Sequence, residues 1–493
     1  MTRLARFLGL EDAPSNALRL ARIMAILMPS YAMAFSISTT FWLIFIAEKL
    51  GNGSYMAGLS TVGLLVVIQL VIQVVLDYPT GSLGDHIGQK FVIASALVCY
   101  ALMFWLSSTV TEDSSLYTFA AIYALLGAAN SQESGAWGSW FDSNYRAAHP
   151  NDEDRKQYGV FQGKLGMLFG LSNTIVLIPG GWLAYSLGRE WVFQGQAVIC
   201  VLLALVVLRY LNDLPEVEQK RKEDKDKSDY TQLLKDGVSF LGSDRFITFM
   251  IAGQVLLFSI TTVYINLVLF PFYFVYLLTD IAVASYRTFL YVPQVPLQER
   301  SGIWSRRFDP AKWIPRFELL SVGATIPLVV MAALLVVAPP PATADNLVRL
   351  MFPGSEFVIL EAPLESIPVL IVIAVLFVFG FLMGTFAGIL SQRVLIDVIP
   401  NRIRNSVYSL RPTLIMIAAM PIMAVSGEMI TTYGLPPALV LLASISFAGT
   451  LLVWKAFQYP IPKASDLEDI LIPEKTEDVV EEKRMEMGTS EHV

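Results

Sequence analysis

A carboxyl group lies in an otherwise apolar stretch, GAANSQESGAW, in which Asn130 and Gln132 precede Glu133. Small residues in such a stretch favour close helix packing, and an ionisable group at membrane depth is a functional candidate by default. A desolvated carboxyl group can take up and release a proton. We therefore expect Glu133, Asn130 and Gln132 to belong to a coupling or substrate site. The alternative is a structural carboxyl group that is hydrogen-bonded to a neighbouring helix.

A second group of polar side chains lies in a weakly apolar stretch, ASYRTFLYVPQVPLQER. A helix that carries a guanidinium group, amides and a carboxylate should face a water-filled cavity rather than lipid. Glu299 is the second candidate for a proton site, whereas Arg287 is close enough to one end to reach the membrane surface. The side chains expected to line this cavity are Arg287, Gln294, Gln298 and Glu299, with Asn266 from the preceding stretch.

Two cations, Lys164 and Arg411, lie about one and a half helical turns inside apolar stretches. Long cationic side chains at this depth can extend to the surface, which is the simpler interpretation. Their matching positions favour instead an inner charge network, in which Asp77, Asp142 and Asp85 are the expected partners.

The segment DYPTGSLGDHIGQK, from Asp77 to Lys90, separates two long apolar stretches. Its glycines Gly81, Gly84 and Gly88 predict a tight turn, because glycine adopts positive φ angles and permits close helix approach. Asp85 would then be a fixed anion at the membrane surface. We expect a structural or gating role for this segment rather than a catalytic one.

The composition requires a membrane protein. Of the 493 residues, 55% are hydrophobic and 16% charged, whereas soluble domains carry roughly a quarter charged residues. Apolar stretches of about 20 residues predict an all-α membrane protein with twelve transmembrane helices. We place the spans at 22–48, 55–77, 91–109, 115–140, 159–186, 190–209, 246–278, 284–300, 317–338, 367–393, 406–431 and 436–456.

The distribution of basic residues predicts the orientation. Of the 35 Lys and Arg residues, only Lys49, Arg189 and Arg349 fall in connections on the side opposite to the termini. By the positive-inside rule, both termini are cytoplasmic, and we expect the protein in the plasma membrane. The predicted parts are a cytoplasmic segment 1–21, a six-helix bundle 22–211, a linker 212–245, a second bundle 246–457 and an acidic tail 458–493, expected to be disordered.

An internal repeat relates the two predicted bundles. RKQYGVFQGK aligns with RIRNSVYSLR at an offset of 247 residues, which pairs Lys164 with Arg411. GSLGDHIGQK aligns more weakly with GIWSRRFDPA at an offset of 221 residues, which pairs Asp85 with Arg306. An insertion in the outer connection from Pro339 to Pro368 accounts for the difference between the offsets.

Twelve spans in two halves, a charged central linker and the pattern G-x-L-x-D-x-x-G-x-K resemble the major facilitator superfamily of secondary transporters. The matching residues are Gly81, Leu83, Asp85, Gly88 and Lys90, and the overall resemblance covers about residues 20–458. His86 and Gln89 depart from the pattern, because the family usually has basic residues at these two places. The resemblance implies two pseudo-symmetric six-helix bundles.

The resemblance also implies a role for the Asp85 carboxylate. In the family such an aspartate contacts the start of span eleven when the cytoplasmic side is closed. Here that start is RNSVYSLR, with Arg402 and Arg404 as cationic partners. We expect Asp85 to latch the halves together in the outward-open state, while Arg306 in the second half is also explained by the excess of basic residues on the cytoplasmic side.

These features predict a secondary active transporter, because the sequence contains no G-x-x-x-x-G-K-[ST] motif for ATP. Proton-coupled export of an amphipathic, drug-like solute is the first interpretation, and sodium coupling remains open. The alternatives are a sugar or organic-acid uptake symporter or uniporter and, in another class, a polytopic membrane enzyme or a sensor. We expect a monomer in the lipid bilayer, with no metal, cofactor or nucleic acid.

Overall fold

The computed structural model describes residues 3–464 and Leu467, except for 12, 153–154, 224–236, 295–296, 298–299, 302–303, 344–345 and 401–403. These residues form mainly helices that run back and forth through a layer, as expected when every backbone polar group must be paired in lipid. Large apolar side chains such as Leu205, Val375 and Trp454 remain exposed on the outside of the bundle. They form the surface that faces the hydrocarbon in a multi-pass membrane protein.

The first half contains six antiparallel passes. Its helices are α1 (Arg3–Leu8), α2 (Ser15–Ser36), α3 (Trp42–Leu50), α4 (Tyr55–Ile87), α5 (Gln89–Ser107), α6 (Leu116–Glu133), α7 (Ala136–Ala148), α8 (Lys156–Ile175), α9 (Leu177–Leu187) and α10 (Arg189–Tyr210). A short polar helix, α11 (Pro215–Glu223), follows in the predicted linker.

The second half is also mainly helical. Its helices are α12 (Arg245–Val263), α13 (Leu269–Leu277), α14 (Asp280–Tyr291), α15 (Pro310–Leu320), α16 (Thr325–Val337), α17 (Ile367–Val398), α18 (Arg404–Tyr433) and α19 (Leu435–Ala456). A π-helical turn, Tyr264–Val268, joins α12 to α13, and an antiparallel hairpin of β1 (Leu347–Met351) and β2 (Val358–Pro363) precedes α17.

Ten helices in the described part of the chain are long and apolar enough to cross a membrane. The predicted fourth and eighth spans are not among them. The fourth is divided at Gly135, whose φ of +77° ends α6 and starts α7. In the eighth, α14 ends at Tyr291, and after a turn helical residues follow at Gln294, Leu297, Arg300 and Ser301, with undescribed residues between them. The described helices are consistent with the predicted twelve passes.

We call the end of the molecule that carries Asp85 the motif end and the end that carries Arg189 the far end. One large apolar core extends through the first half and, by way of the far end, into the second half, where it includes Tyr273 and Leu442. A separate core, which includes Phe246 and Phe386, occupies the motif end of the second half. Among the described residues, the halves therefore share a core at the far end and not at the motif end.

Two helix pairs join the halves at the far end. In the α4/α18 pair, a Cβ atom on Gly427 would lie 2.9 Å from the Leu59 carbonyl oxygen. In the α9/α14 pair, a Cβ atom on Gly181 would lie 2.6 Å from the Ala284 Cβ atom. Glycine is required at these crossings because any side chain would separate the backbones.

The predicted turn after span two is located differently in the structure. Helix α4 continues through Gly81 and Gly84 to Ile87, and only Gly88 has a positive φ, of +103°. A single glycine therefore makes the turn, since the helix continues past Pro79 and the two earlier glycines without a positive φ angle. The hairpin in the outer connection is a second difference from the all-helical expectation. Most of the predicted acidic tail and residues 224–236 of the linker lie outside the described residues.

Close packing within the first half generates a stability prediction. A Cβ atom on Gly127 of α6 would lie 2.4 Å from the Gln69 carbonyl oxygen of α4. Gly127→Ala should lower the melting temperature of the detergent-solubilised protein, because overpacking costs roughly 1–3 kcal/mol. Gly195→Ala is the matched control, because a Cβ atom on Gly195 would have no described neighbour within 4 Å. Equal melting temperatures for the two variants would contradict the close helix approach.

Candidate functional site

A cavity of about 1590 Å³ lies between the two halves. Helices α4, α6 and α7 form its wall in the first half, and α12, the π-helical turn and α18 form its wall in the second half. Ionisable side chains at the motif end also line it, and they include Asp85, His86 and Arg221. The cavity therefore opens at the motif end, where the described residues of the two halves share no core.

The wall from the first half is polar. Gln69, Gln73 and Asp77 follow one another at four-residue intervals on α4, so they lie along one helix face. Asn130 and Gln132 of α6, two of the candidate residues, also line the cavity. The Tyr100 hydroxyl donates a hydrogen bond of 2.7 Å to Asn130 Oδ1, and Ser95 donates to Gln132 Oε1. These bonds from α5 hold the amide groups in fixed orientations.

The wall from the second half is mainly apolar. Phe258, Ile265 and Met416 line it, and the smaller polar residues Thr262 and Asn266 interrupt it. Asn266 lies in the π-helical turn, and its Nδ2 donates to the Thr262 carbonyl oxygen at 2.9 Å. Turns of this kind occur frequently at functional sites. The cavity thus offers amides and a carboxylate on one side and an apolar surface on the other.

Glu133 is the last residue of α6, at the break in the fourth pass. Its side chain is half-buried and is not one of the residues that line the cavity. It lies close enough to the hydroxyl groups of Tyr31 and Tyr100 for electrostatic interaction. The Tyr31 ring also packs against Trp137, with the ring centroids 5.9 Å apart. The carboxyl group therefore lies behind the polar wall, beside Asn130 and Gln132.

Arg287 also lies away from the cavity, in the interior of the second half. Its guanidinium group is surrounded by four aromatic rings, at 4.5 to 6.0 Å from their centroids: Phe270, Tyr273, Tyr291 and Phe377. It donates a hydrogen bond to the Tyr291 hydroxyl. Gln294 is buried and bonds to the Leu290 carbonyl oxygen at 3.3 Å, while Gln298 and Glu299 lie outside the described residues. The predicted cavity face of span eight is therefore a packed interior in its described part.

The motif residues lie around the mouth of the cavity. Asp85 accepts a hydrogen bond of 3.3 Å from Gln89 Nε2 and interacts electrostatically with His86 and Arg221. Burial raises the pKa of the Asp85 carboxyl group, although these three neighbours partly offset the increase. His86 and Gln89 belong to the first half and Arg221 to the linker helix α11, so none of the three is in the second half, as expected when the motif end is open. Leu83 is exposed, and Lys90 Nζ donates to Asn212 Oδ1 at 3.0 Å.

Among the expected latch partners, the structure describes only the side chain of Arg306, which forms no ion pair with Asp85 in the described part of the chain. Arg306 is exposed in a short 3₁₀ turn, and Arg404 begins α18. Arg402 lies outside the described residues. The latch between Asp85 and the start of span eleven, which we expect in the opposite state, thus stays a prediction.

The predicted members of the inner charge network do not form one network in this state. Asp142 pairs with Arg146 at 3.0 Å and with Arg155. Lys164 Nζ lies 5.8 Å from the centre of the Phe7 ring, near the N-terminus. Arg411 lies over the Phe258 ring and interacts electrostatically with Glu318. Asp77 faces the cavity without a cationic partner among the described residues.

The sequence did not predict an ion cluster that lies at the far end. Arg189, at the start of α10, donates to Asp280 of α14 through two bonds of 2.7 and 2.8 Å. The same guanidinium group donates to Glu48 of α3 at 2.5 Å. Asp280 belongs to the second half, so this cluster joins the halves at the closed end. The available signal was Arg189 itself, one of only three basic residues predicted on that side.

Glu318 is a second residue that the sequence analysis missed. It lies in α15, is 9% exposed, and interacts electrostatically with Arg411. The predicted ninth span begins at residue 317, and nothing in the sequence distinguishes Glu318 from a residue at the end of a span. The structure buries it instead against neighbouring helices, which makes it a carboxyl group of the second half comparable with Glu133.

The fold and the cavity define a class of protein: a transporter-type membrane protein with two helical halves around a cavity open at one end. The family model of the Major Facilitator Superfamily matches residues 23–352, more than half of the chain. The chain therefore belongs to the Major Facilitator Superfamily. A search of curated protein sequences gives no significant match.

Solved structures of transporters share this fold. A mutant of the nucleoside transporter NupG has a TM-score of 0.62 at 13% identity, with 89% of this chain and 100% of that chain covered. A D-xylose-proton symporter has a TM-score of 0.58 at 12% identity, with 91% of this chain and 98% of that chain covered. The xylose transporter XylE from E. coli, in an inward-open conformation, has a TM-score of 0.56 at 12% identity, with 92% of this chain and 99% of that chain covered. At these identities the similarity shows the fold alone.

The far-end cluster generates a prediction about conformation. Asp280→Asn removes the charge that holds Arg189 across the halves, and hydrogen bonds to charged groups contribute about 1.5–3 kcal/mol. This loss should open the far end more often. Opening is measured with a cysteine introduced by Thr288→Cys, in a variant whose Cys99 and Cys200 are replaced by alanine. Thr288 is suitable because its hydroxyl group contacts the Thr174 carbonyl oxygen across the halves. The reaction rate of the introduced cysteine with a maleimide should increase by at least about tenfold.

The matched control for this experiment is Glu190→Gln, which removes a neighbouring carboxylate that forms no ion pair in the described part of the chain. The control should react like the parent protein. An unchanged rate for Asp280→Asn would mean that the ion cluster does not hold the far end closed.

Proposed function

We propose that the protein is a secondary active transporter that exports a small amphipathic solute, coupled to protons, by alternating access. The observation that supports this function best is the cavity between the halves, which is open at the motif end and closed at the far end. A rocking motion of the halves would reverse these two openings around the same walls. The solute would thereby cross the membrane without a continuous pore.

The composition of the walls supports an amphipathic solute. Amides on α4 and α6 can donate and accept hydrogen bonds, while Phe258, Ile265 and Met416 offer dispersion and aromatic contacts. A ligand with both polar and apolar parts would satisfy both walls. A cavity of this size is large enough for a drug-sized molecule, whose pockets measure about 300–1,000 Å³.

The distribution of basic residues supports the proposed orientation, because the positive-inside rule puts the motif end in the cytoplasm and the far end outside. In this orientation the cavity can bind solute from the cytoplasm, and the opposite state would release it outside. The driving gradient sets the direction, since an alternating-access transporter opens to both sides in each cycle. We propose export across the plasma membrane in exchange for protons that flow inward, by a monomer with cytoplasmic termini.

For proton coupling we propose Glu133 as the exchanging group. It lies behind the polar wall, where a change in its charge would act on Tyr100, which in turn donates to Asn130 in the wall. Protonation of the carboxyl group would therefore alter the hydrogen bonds available to the solute. Glu299 and coupling to sodium are the alternatives.

Uptake of a sugar is the second candidate function. The polar wall with Gln69, Gln73, Asn130 and Gln132 favours it, because amide groups bind hydroxyl groups well. Two of the structural neighbours are a nucleoside transporter and a D-xylose-proton symporter. The direction of solute flux with an imposed pH gradient separates uptake from export.

Proteoliposomes that contain a pH-sensitive dye test the proposed coupling. A solute that drives proton movement in the parent protein should drive none above the level of empty liposomes in Glu133→Gln, because this side chain has no proton to exchange. Exchange of labelled solute against unlabelled solute should persist, since that process needs no proton. Glu112→Gln, in an exposed loop, is the control. Proton movement retained by Glu133→Gln would reject Glu133 as the coupling group.

A further inference from the structure

Asp77 differs from the other carboxylates that line the cavity. Asp142 is paired with Arg146 and Arg155, and Asp213 is paired with Arg221. Asp85 accepts a hydrogen bond from Gln89, and Glu216 is exposed at the mouth. Asp77 is half-buried and has no cation and no hydrogen-bond donor to its carboxylate among the described residues.

The surroundings of Asp77 are fixed. Thr80, one turn further along α4, donates to the Leu76 carbonyl oxygen at 2.8 Å and to the Ser131 carbonyl oxygen of α6 at 3.2 Å. The second bond connects the turn of α4 that carries Asp77 to the neighbouring helix α6. Gln73 and Gln69 continue the same face deeper into the cavity, so their amide oxygens add acceptors beyond the carboxylate.

The cations near the cavity do not neutralise Asp77. Arg146 and Arg221 both line the cavity, but each is bound to another aspartate. The opposite wall offers Phe258, Ile265 and Met416, which favour an apolar skeleton, and an aromatic face attracts a cation. An uncompensated carboxylate in a partly desolvated cavity favours a positively charged ligand and repels an anion.

We propose that Asp77 is the binding site for an organic cation, with the cationic group of the ligand at the Asp77 carboxylate. The apolar skeleton of the ligand lies against Phe258, Ile265 and Met416. This inference rests on the proposed function, because the site lies in the same transport cavity. It narrows the solute from amphipathic molecules in general to lipophilic cations.

Radiolabelled tetraphenylphosphonium tests the site by equilibrium binding to the detergent-solubilised full chain. Two competitors also carry phenyl groups on phosphorus, though fewer of them, and lack the positive charge: triphenylphosphine oxide is neutral and diphenylphosphinate is anionic. The cation should bind, and both competitors should be at least about tenfold weaker, since a charged partner contributes about that much. Equal competition by the neutral compound, or no binding of the cation, overturns the proposal without any mutation.

Variants locate the binding. Asp77→Asn should weaken tetraphenylphosphonium binding by about tenfold or more, and Asp77→Glu should retain most of it. Asp113→Asn carries the same charge change in an exposed loop and should bind like the parent protein. Each variant is first checked for an unchanged melting temperature. Binding by a folded Asp77→Asn variant that equals the parent protein would overturn the assignment.

Flux measurements separate this inference from the proposed function. Asp77-dependent binding of tetraphenylphosphonium without its movement into proteoliposomes would leave the cation site standing and remove the transport function for this ligand. If the protein transports a neutral solute and Asp77→Asn leaves that transport unchanged, the transport function stands and the cation site is rejected.

Discussion

One guanidinium group holds two carboxylates at the far end, and the open cavity depends on this arrangement. Arg189 and Glu48 belong to the first half, whereas Asp280 begins α14 of the second half. Three charges that are only 11% to 32% exposed must remain together, because separating a partly buried pair leaves a charge without compensation. The halves are thereby closed at this end, and the cavity between them admits a solute from the motif end.

Packing at the far end reinforces the ion cluster. The glycine crossings of α4 with α18 and of α9 with α14 bring backbones into contact, and such interfaces repack between discrete arrangements. The hairpin contributes to the second crossing: Glu361 accepts a hydrogen bond from Thr279, which caps α14, and Phe357 packs on Trp182 of the first half. An opening of the far end must break polar and apolar contacts together, which favours two well-defined states.

Hydrophobic periodicity and length were sufficient to predict the two bundles, since the passage of helices through lipid is determined by local sequence. The sequence grouped Asn130, Gln132, Glu133 and Arg287 as cavity candidates, and the structure has only the first two on the cavity wall. The sequence could not separate them, because helix rotation depends on packing against neighbours and is not encoded in the hydropathy of one segment. The pairing of Arg189 with Asp280 joins residues 91 positions apart, and no local pattern indicates such a contact.

The central claim is that the two ends open in alternation, and distances between spin labels test it directly. One pair, at Glu218 and Arg306, spans the motif end, and a second pair, at Tyr185 and Glu365, spans the far end; all four side chains are exposed. The account predicts two populations under transport conditions, in which a shorter motif-end distance accompanies a longer far-end distance. A far-end distance that stays constant while the motif-end distance changes would contradict alternating access.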